Sequence, residues 1–202
     1  MDEIVQRGMA KWPNVPAVYG WLSLDRRGNW LIKGERIGNP LVTEFISRNY
    51  ARDERGCWYF QNGPQRVFVN LDYAPLVLRI VSPEGAPLAF STHSGKRVAV
   101  PGGAWLDDRG TLLIETEHGP GTVHDRDLEH LLPYLMDANG TAPPEAVLDE
   151  LMELAQQGKP VPLWLRIRDA KLKIEAIASN NVPSRFKFVA QPEPPAGEEA
   201  CR

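Results

Sequence analysis

Cysteine is nearly absent: Cys57 and Cys201 are the only two in 202 residues, far apart and in unrelated contexts. Such a pair has no metal-ligand spacing and builds no disulfide framework, so a reducing compartment is expected and the chain reads as cytoplasmic. Long apolar runs are missing as well. No stretch approaches the ~20 residues of a membrane span, and Met1–Trp12 mixes charges without the apolar region of a secretory signal. A strong net charge is also lacking, at −3, while 43% apolar and 24% charged residues are ordinary for a globular chain. Collagen, coiled coil, membrane protein and wholesale disorder are excluded. The length allows one large domain or two small ones with a core of their own.

The charge is unevenly spread. Residues 1–100 hold 13 Lys+Arg against 9 Asp+Glu, whereas residues 101–202 hold 10 against 17. Asp107 through Glu153 alone carries 12 acidic residues and two arginines. That density describes either an acidic face for a basic partner, or for the chain's own basic half, or simply well-solvated surface helices.

Apolar periodicity and turn residues divide the chain into elements. Asp2–Trp12 reads as a short helix, with Val5, Met9 and Trp12 on one face, stopped by Pro13 and Pro16. Tyr19–Leu24 and Asn29–Lys33 read as strands around Asp25-Arg26-Arg27-Gly28. Asn39-Pro40 starts a helix, with Asn as cap and Pro in the first turn. Cys57–Gln61 and Gln65–Asp72 flank Asn62-Gly63, a hairpin signal, and Pro75–Ser82 supplies a third strand. The alternation of Val67, Val69 and Leu71 with Phe68, Asn70 and Asp72 predicts one buried and one partly wet side. Leu88–Thr92 and Arg97–Val100 form a further hairpin turning at Ser94-Gly95.

The next segment repeats the first. Leu24-Asp25-Arg26-Arg27-Gly28-Asn29-Trp30-Leu31-Ile32 matches Leu106-Asp107-Asp108-Arg109-Gly110-Thr111-Leu112-Leu113-Ile114 at a constant offset of 82, with six of nine positions identical. A helix over Asp125–Leu135 and an added one over Pro144–Gln157 follow, the latter with Val147, Leu148, Leu151, Met152 and Ala155 on one face. Three β runs come next: Val161–Arg168, Lys171–Ala178 and Arg185–Ala190. Hairpin, helix and three strands thus occur twice, which predicts a structural duplication. From Gln191 the chain reads as a disordered tail.

Trp30, Gly34-Glu35-Arg36-Ile37, the helix after them, Trp58-Tyr59-Phe60 and Ala74-Pro75 carry a resemblance to the bacterial family called domain of unknown function 1285, over roughly residues 19–82. The resemblance implies a fold of two repeated β-α-β-β-β motifs and a signalling or ligand-binding role. That family has no catalytic residues to transfer.

The densest polar cluster runs from Glu115 to His130. Within it His124, Asp127 and His130 are the candidate metal ligands, since Asp127 and His130 stand i, i+3 on the expected helix. The spacing fits no HExxH-type site, and Thr122-Val123-His124-Asp125 reads better as a capping box. Ser94-Gly95-Lys96 lacks the rest of a phosphate loop, and Pro101-Gly102-Gly103 precedes a strand rather than a helix, so neither is a nucleotide fingerprint. Cys57, on a strand without a neighbouring His, is expected to be a buried, inert thiol. Arg48, Arg52, Arg55 and Arg66 interleave with Tyr50, Trp58, Tyr59 and Phe60, as in single-strand nucleic-acid binders, but Asp53, Glu54 and a pI near 5.8 argue for core aromatics edged by arginine.

The expectation is an α+β protein of two repeated β-α-β-β-β units with antiparallel sheets and covering helices: an arm over 1–16, a first unit over 17–95, a second over 96–190 and a tail over 191–202. Its expected role is a non-enzymatic ligand- or protein-binding module of a signalling or regulatory kind, with Trp58, Tyr59, Arg66 and Trp105 as candidate ligand-binding residues and a cleft between the repeats as their setting. The alternative is a metal-dependent hydrolase built on the 118–130 cluster, and a third class is a scaffold for oligomerisation. No cofactor is expected. The partner is an unidentified small ligand or protein; neither a membrane nor nucleic acid is expected, and the oligomeric state is open.

Overall fold

A computed structural model describes residues 1–12, 15–83, 85–99, 101–168 and 170–197, without the side chains of Pro101, Asp149 and Met152. Pro13, Val100 at the end of one expected strand, and the tail from residue 198, Cys201 included, lie outside the described residues. The chain is α+β and divides into two compact units, Met1–Pro75 with Lys187–Arg202, and Leu76–Phe186.

Unit 1 opens with α1 (Glu3–Lys11), which buries Val5. Its strands are β1 (Val18–Leu24), β2 (Trp30–Ile32), β3 (Glu35–Arg36), β4 (Tyr50–Arg52), β5 (Trp58–Asn62) and β6 (Gln65–Leu71), with α2 (Pro40–Arg48) between β3 and β4. They form one mixed sheet in the order β3-β2-β1-β6-β5-β4, parallel at β1–β6 and antiparallel elsewhere. α2 starts where its cap dictates: the Asn39 side chain accepts the Leu41 N–H at 2.9 Å, and Pro40 occupies the first turn, where no N–H is needed. The hairpin between β5 and β6 turns one residue later than expected, because Asn62 pairs with Gln65 and leaves Gly63-Pro64 as the loop.

Both faces of this sheet are covered. Trp30, Tyr50, Trp58 and Phe60 pack beneath α2, with Phe45 edge-on to Phe60 at 5.4 Å and the Trp30 Nε1–H donating to Ser47 at 3.1 Å. On the other face Tyr19 stacks on Phe68 at 4.5 Å beside Tyr59 and Cys57. The expected partly wet side of β6 is buried at Phe68, where the Tyr19 ring covers it, while Asn70 is half-buried and Asp72 exposed.

Unit 2 holds β7 (Leu76–Ile80), β8 (Phe90–Thr92), β9 (Pro101–Asp107), β10 (Leu112–Thr116), β11 (Gly119–Val123), β12 (Leu135–Met136), β13 (Trp164–Ile167) and β14 (Ala170–Ile177), with α3 (Glu145–Gln156) and α4 (Val182–Phe186). The sheet runs β12-β13-β14-β9-β10-β11-β7-β8, parallel at β14–β9 and β11–β7. Its core gathers Leu78, Phe90, Ile114, Leu163, Leu165 and Ile174, with Val147, Leu148 and Leu151 of α3 packed against them.

Several expectations are corrected here. Pro75–Ser82 does not follow β6 into the same sheet; it forms β7, paired with β11 and β8. Leu76, Val77 and Leu78 are all fully buried, as befits an inner strand with a parallel neighbour rather than an alternating one. Pro101-Gly102-Gly103 does not precede β9 but lies inside it. Asp125–Leu135 is not one α-helix but two 3-10 stretches, Asp125–Asp127 and Glu129–Tyr134, since Pro133 has no N–H to continue an α ladder and Leu135 already belongs to β12. Arg185–Ala190 is not a strand: Arg185 lies in α4, and Lys187 takes a left-handed backbone at φ 54° before Val189 meets Cys57. The sheets are mixed rather than antiparallel.

Candidate functional site

One feature of unit 1 that packing does not consume is an apolar depression between α2 and the sheet. Its cause is an irregularity in β1. Val18 pairs with Val67 and Leu22 with Val69, so β1 spends twice the residues of β6 over that span, with Gly20 at φ 76°. A bulge of this kind re-aims side chains, and Trp21 is left 39% exposed with the Lys33 ammonium 4.2 Å over its ring. Trp21, Ile32 and Val42 form the mouth, Leu22, Phe45, Phe60 and Val67 the floor, and Asn62 and Gln65 one polar edge, around about 340 Å³. Ile32 is 45% and Val42 39% exposed, and Leu41, which precedes Val42 on α2, is 74% exposed. A contiguous apolar patch left in water is a recognised mark of a binding surface.

The sequence-predicted ligand residues lie elsewhere. Trp58 and Tyr59 are buried on opposite faces of β5, Trp58 against Tyr50 and Tyr59 against Phe68. The Arg66 guanidinium covers the Tyr59 ring at 4.8 Å, so these two do meet, as cation over core aromatic. Trp105 belongs to unit 2, where it is buried edge-on to Phe186 and donates from Nε1 to Glu175 at 3.2 Å. Cys57 is buried, and its surroundings and the Asp53 carboxylate push its thiol up, away from the nucleophilic thiolate.

The candidate metal ligands have other partners. His124, rather than Thr122, is the cap of the first 3-10 stretch, its Nδ1 accepting the Arg126 N–H at 3.1 Å, while Thr122 sits inside β11. Asp127 takes Arg79 in a two-pronged ion pair, 2.8 and 3.1 Å, and the Ile80 N–H at 2.9 Å. Burial alone would raise the Asp127 carboxyl, but the Arg79 guanidinium and Ile80 N–H outweigh it and hold the group below the usual carboxylate range. His130 is exposed on the second 3-10 stretch. Among the described residues no group of three His, Cys, Asp or Glu side chains is placed to hold a metal ion. Nor is any helix among them long and apolar enough to cross a membrane.

Sequence reasoning missed Trp21, Ile32 and Val42. A signal was available in the repeated nonapeptide: Ile32 and Ile114 occupy the same place in it, but only the second copy is followed by the added helix that became α3.

Comparison with known proteins agrees with the family resemblance that Trp30 to Pro75 carry. The family described as Protein of unknown function (DUF2946) matches residues 1–193. No curated protein matches the chain. Among solved structures, a DUF1285 family protein from Silicibacter pomeroyi DSS-3 is similar at a TM-score of 0.55 and 15% identity, over 84% of this chain and 87% of its own. A DUF1285 family protein from Shewanella baltica OS155 aligns at a TM-score of 0.44 and 16% identity, over 59% of this chain and 92% of its own.

Proposed function

For this chain, which belongs to the family described as Protein of unknown function (DUF2946), we propose that unit 1 is a docking module that receives an apolar helix face from a partner protein. The observation that carries this reading is the contrast between Ile32 and Ile114. Ile114 is 0% exposed in the core on which α3 packs, whereas Ile32, its counterpart at offset 82, is 45% exposed at the mouth of the depression. In unit 1 α2 covers this face only in part, and no helix between β4 and β5 corresponds to α3 between β12 and β13, so an external helix presenting Leu, Val and Met side chains supplies the missing cover beside α2.

The comparison rests on the two units being related copies, and the topology supports that. Unit 1 runs β3-β2-β1-β6-β5-β4, and six strands of unit 2 run β11-β10-β9-β14-β13-β12. Each pairing has the same sense in both, parallel only at β1–β6 and β9–β14. The register agrees as well: Leu24 faces Trp30, and Leu106 faces Leu112. The nonapeptide match alone supports less. In its Asp-x-x-Gly turns the Asp carboxylate accepts the N–H four residues on, at 2.8 Å in the first copy and 2.7 Å in the second. Asp53 and Asp137 build the same turn at 2.8 and 2.9 Å.

The test titrates the full chain with a synthetic peptide of residues 145–157, which carries the α3 face, and follows Trp emission and heat. Saturable binding, weakened about 10-fold or more by Val42→Asp and by Ile32→Lys, is expected. Saturable binding of decanoate but not of the peptide would replace the helix by a small apolar ligand, and binding of neither would sink the reading.

A further inference from the structure

Unit 2 carries a different kind of cavity. A depression of about 730 Å³ opens between the end of β7, the Glu129–Tyr134 stretch and β13. A smaller one of about 240 Å³ continues it, the two sharing Gly85, Tyr134 and Arg166. Arg79, His130, Arg166 and Arg168 line this groove; among the described residues Asp127 and Glu129 are the carboxylates in its lining, and Asp125 stands close enough to act on Arg79.

Among the described residues, two of its guanidinium groups keep donors that no carboxylate takes up. Asp127 engages the Nε and Nη2 of Arg79, which fixes the plane of that guanidinium while leaving Nη1 without a partner among the described residues, and the Arg79 side chain is 49% exposed against 7% for Asp127. Arg166 and His130 have no hydrogen bond or ion pair to any described residue. Lys171 stands directly across from Arg166 in the β13–β14 ladder, on the same face, and like charges so placed destabilise a sheet unless something neutralises them. The Tyr134 hydroxyl is spent on the Ala86 carbonyl at 2.7 Å, so its ring is held as a fixed wall. Among the described residues, the exposed carboxylates against this set are Glu129 in the lining and Asp125 near Arg79.

We propose that the groove binds a small organic anion, with a carboxylate or phosphate held by Arg166 and the pre-set Arg79, and the body of the molecule along Tyr134 toward Arg168. Guanidinium forks suit both groups because each offers paired acceptor oxygens at matching spacing. The site is independent of the depression in unit 1 and owes nothing to the helix-docking reading.

Calorimetric titration of the full chain with inorganic pyrophosphate and, separately, with citrate at constant ionic strength tests the proposal. The expected result is one saturable site, weakened about 10-fold or more by Arg166→Ala and by Arg168→Ala and unchanged by Lys11→Ala in unit 1. Pyrophosphate alone saturating assigns the site to phosphate, and citrate alone to carboxylate. No saturation with either, equal binding by Arg166→Ala, or an equal loss with Lys11→Ala would overturn it. Arg166 is exposed, so its variant folds; melting curves without anion check that.

Discussion

Arg79 and Asp127, 48 residues apart in sequence, meet in a two-pronged ion pair of 2.8 and 3.1 Å whose carboxylate also caps the Ile80 N–H. The pair ties β7 to the stretch that follows β11. Because the Asp127 carboxyl is held below its usual range in the folded state, its contribution is fully present above the unfolded value of about 3.9 and is lost as pH falls through the lower folded value. Asp127→Ala leaves Arg79 and the Ile80 N–H without their acceptor and is expected to cost about 2–4 kcal/mol at pH 7. Denaturant titrations from pH 7 to pH 3 check this: the gap between wild type and variant narrows only at the acid end. A gap constant down to pH 3 contradicts the assignment.

Local chemistry is readable from sequence where neighbours in the chain decide it. Asn39-Pro40 caps α2 because a cap needs only the next turn, and Asp25 and Asp107 set hairpins through N–H groups within four residues. Partner choice between distant strands is a different matter. Nothing inside Pro75–Ser82 says that β7 prefers β11 to β6, since an apolar run satisfies either sheet. The site suffers similarly. Trp58, Tyr59 and Trp105 look like stacking platforms in one dimension, but aromatic area is also what fills a core. Trp21 is exposed only because β1 bulges against β6, and that register is settled by pairing across the sheet.

Gly56 and Gly63 separate backbone strain from steric room. Both have positive φ, 84° and 56°, so any Cβ is strained at either place. At Gly63 a Cβ meets nothing within 4 Å, whereas at Gly56 it would lie 2.4 Å from the Lys187 carbonyl, backbone that cannot swing aside. Gly63→Ala is expected to cost about 1 kcal/mol and Gly56→Ala about 2–4 kcal/mol. Urea denaturation of the two variants decides it, and equal losses would mean that the Lys187 segment yields without cost.

Cys57 offers a kinetic test of the cover that Val189 provides. The thiol is 4% exposed and burial pushes its titration up, so both access and thiolate fraction oppose reaction. In a Cys201→Ser background a disulfide reagent at pH 8 should label the native protein about 100-fold more slowly than the urea-unfolded chain. Val189→Ala opens the cluster around Tyr59 and Phe68 and should speed native labelling. Native labelling as fast as unfolded would show that the cluster does not close over the thiol.

Ile32 and Ile114 give the sharpest comparison between the two units. Each ends the same nonapeptide and points to the face shared with Trp30 or Leu112, yet Ile114 is fully buried and Ile32 is 45% exposed. Ile114→Ala removes buried methyl groups from a core closed by Val147, Leu148 and Leu151, and should cost about 2–5 kcal/mol. Ile32→Ala removes groups already in contact with water and should cost less than about 1 kcal/mol. The asymmetry must shrink when the docking face is filled: with the 145–157 peptide at saturation, Ile32→Ala should lose additional stability through weaker binding. A large cost at Ile32 without any peptide would mean that the depression is already packed shut in solution, and the face would then have no need of a partner.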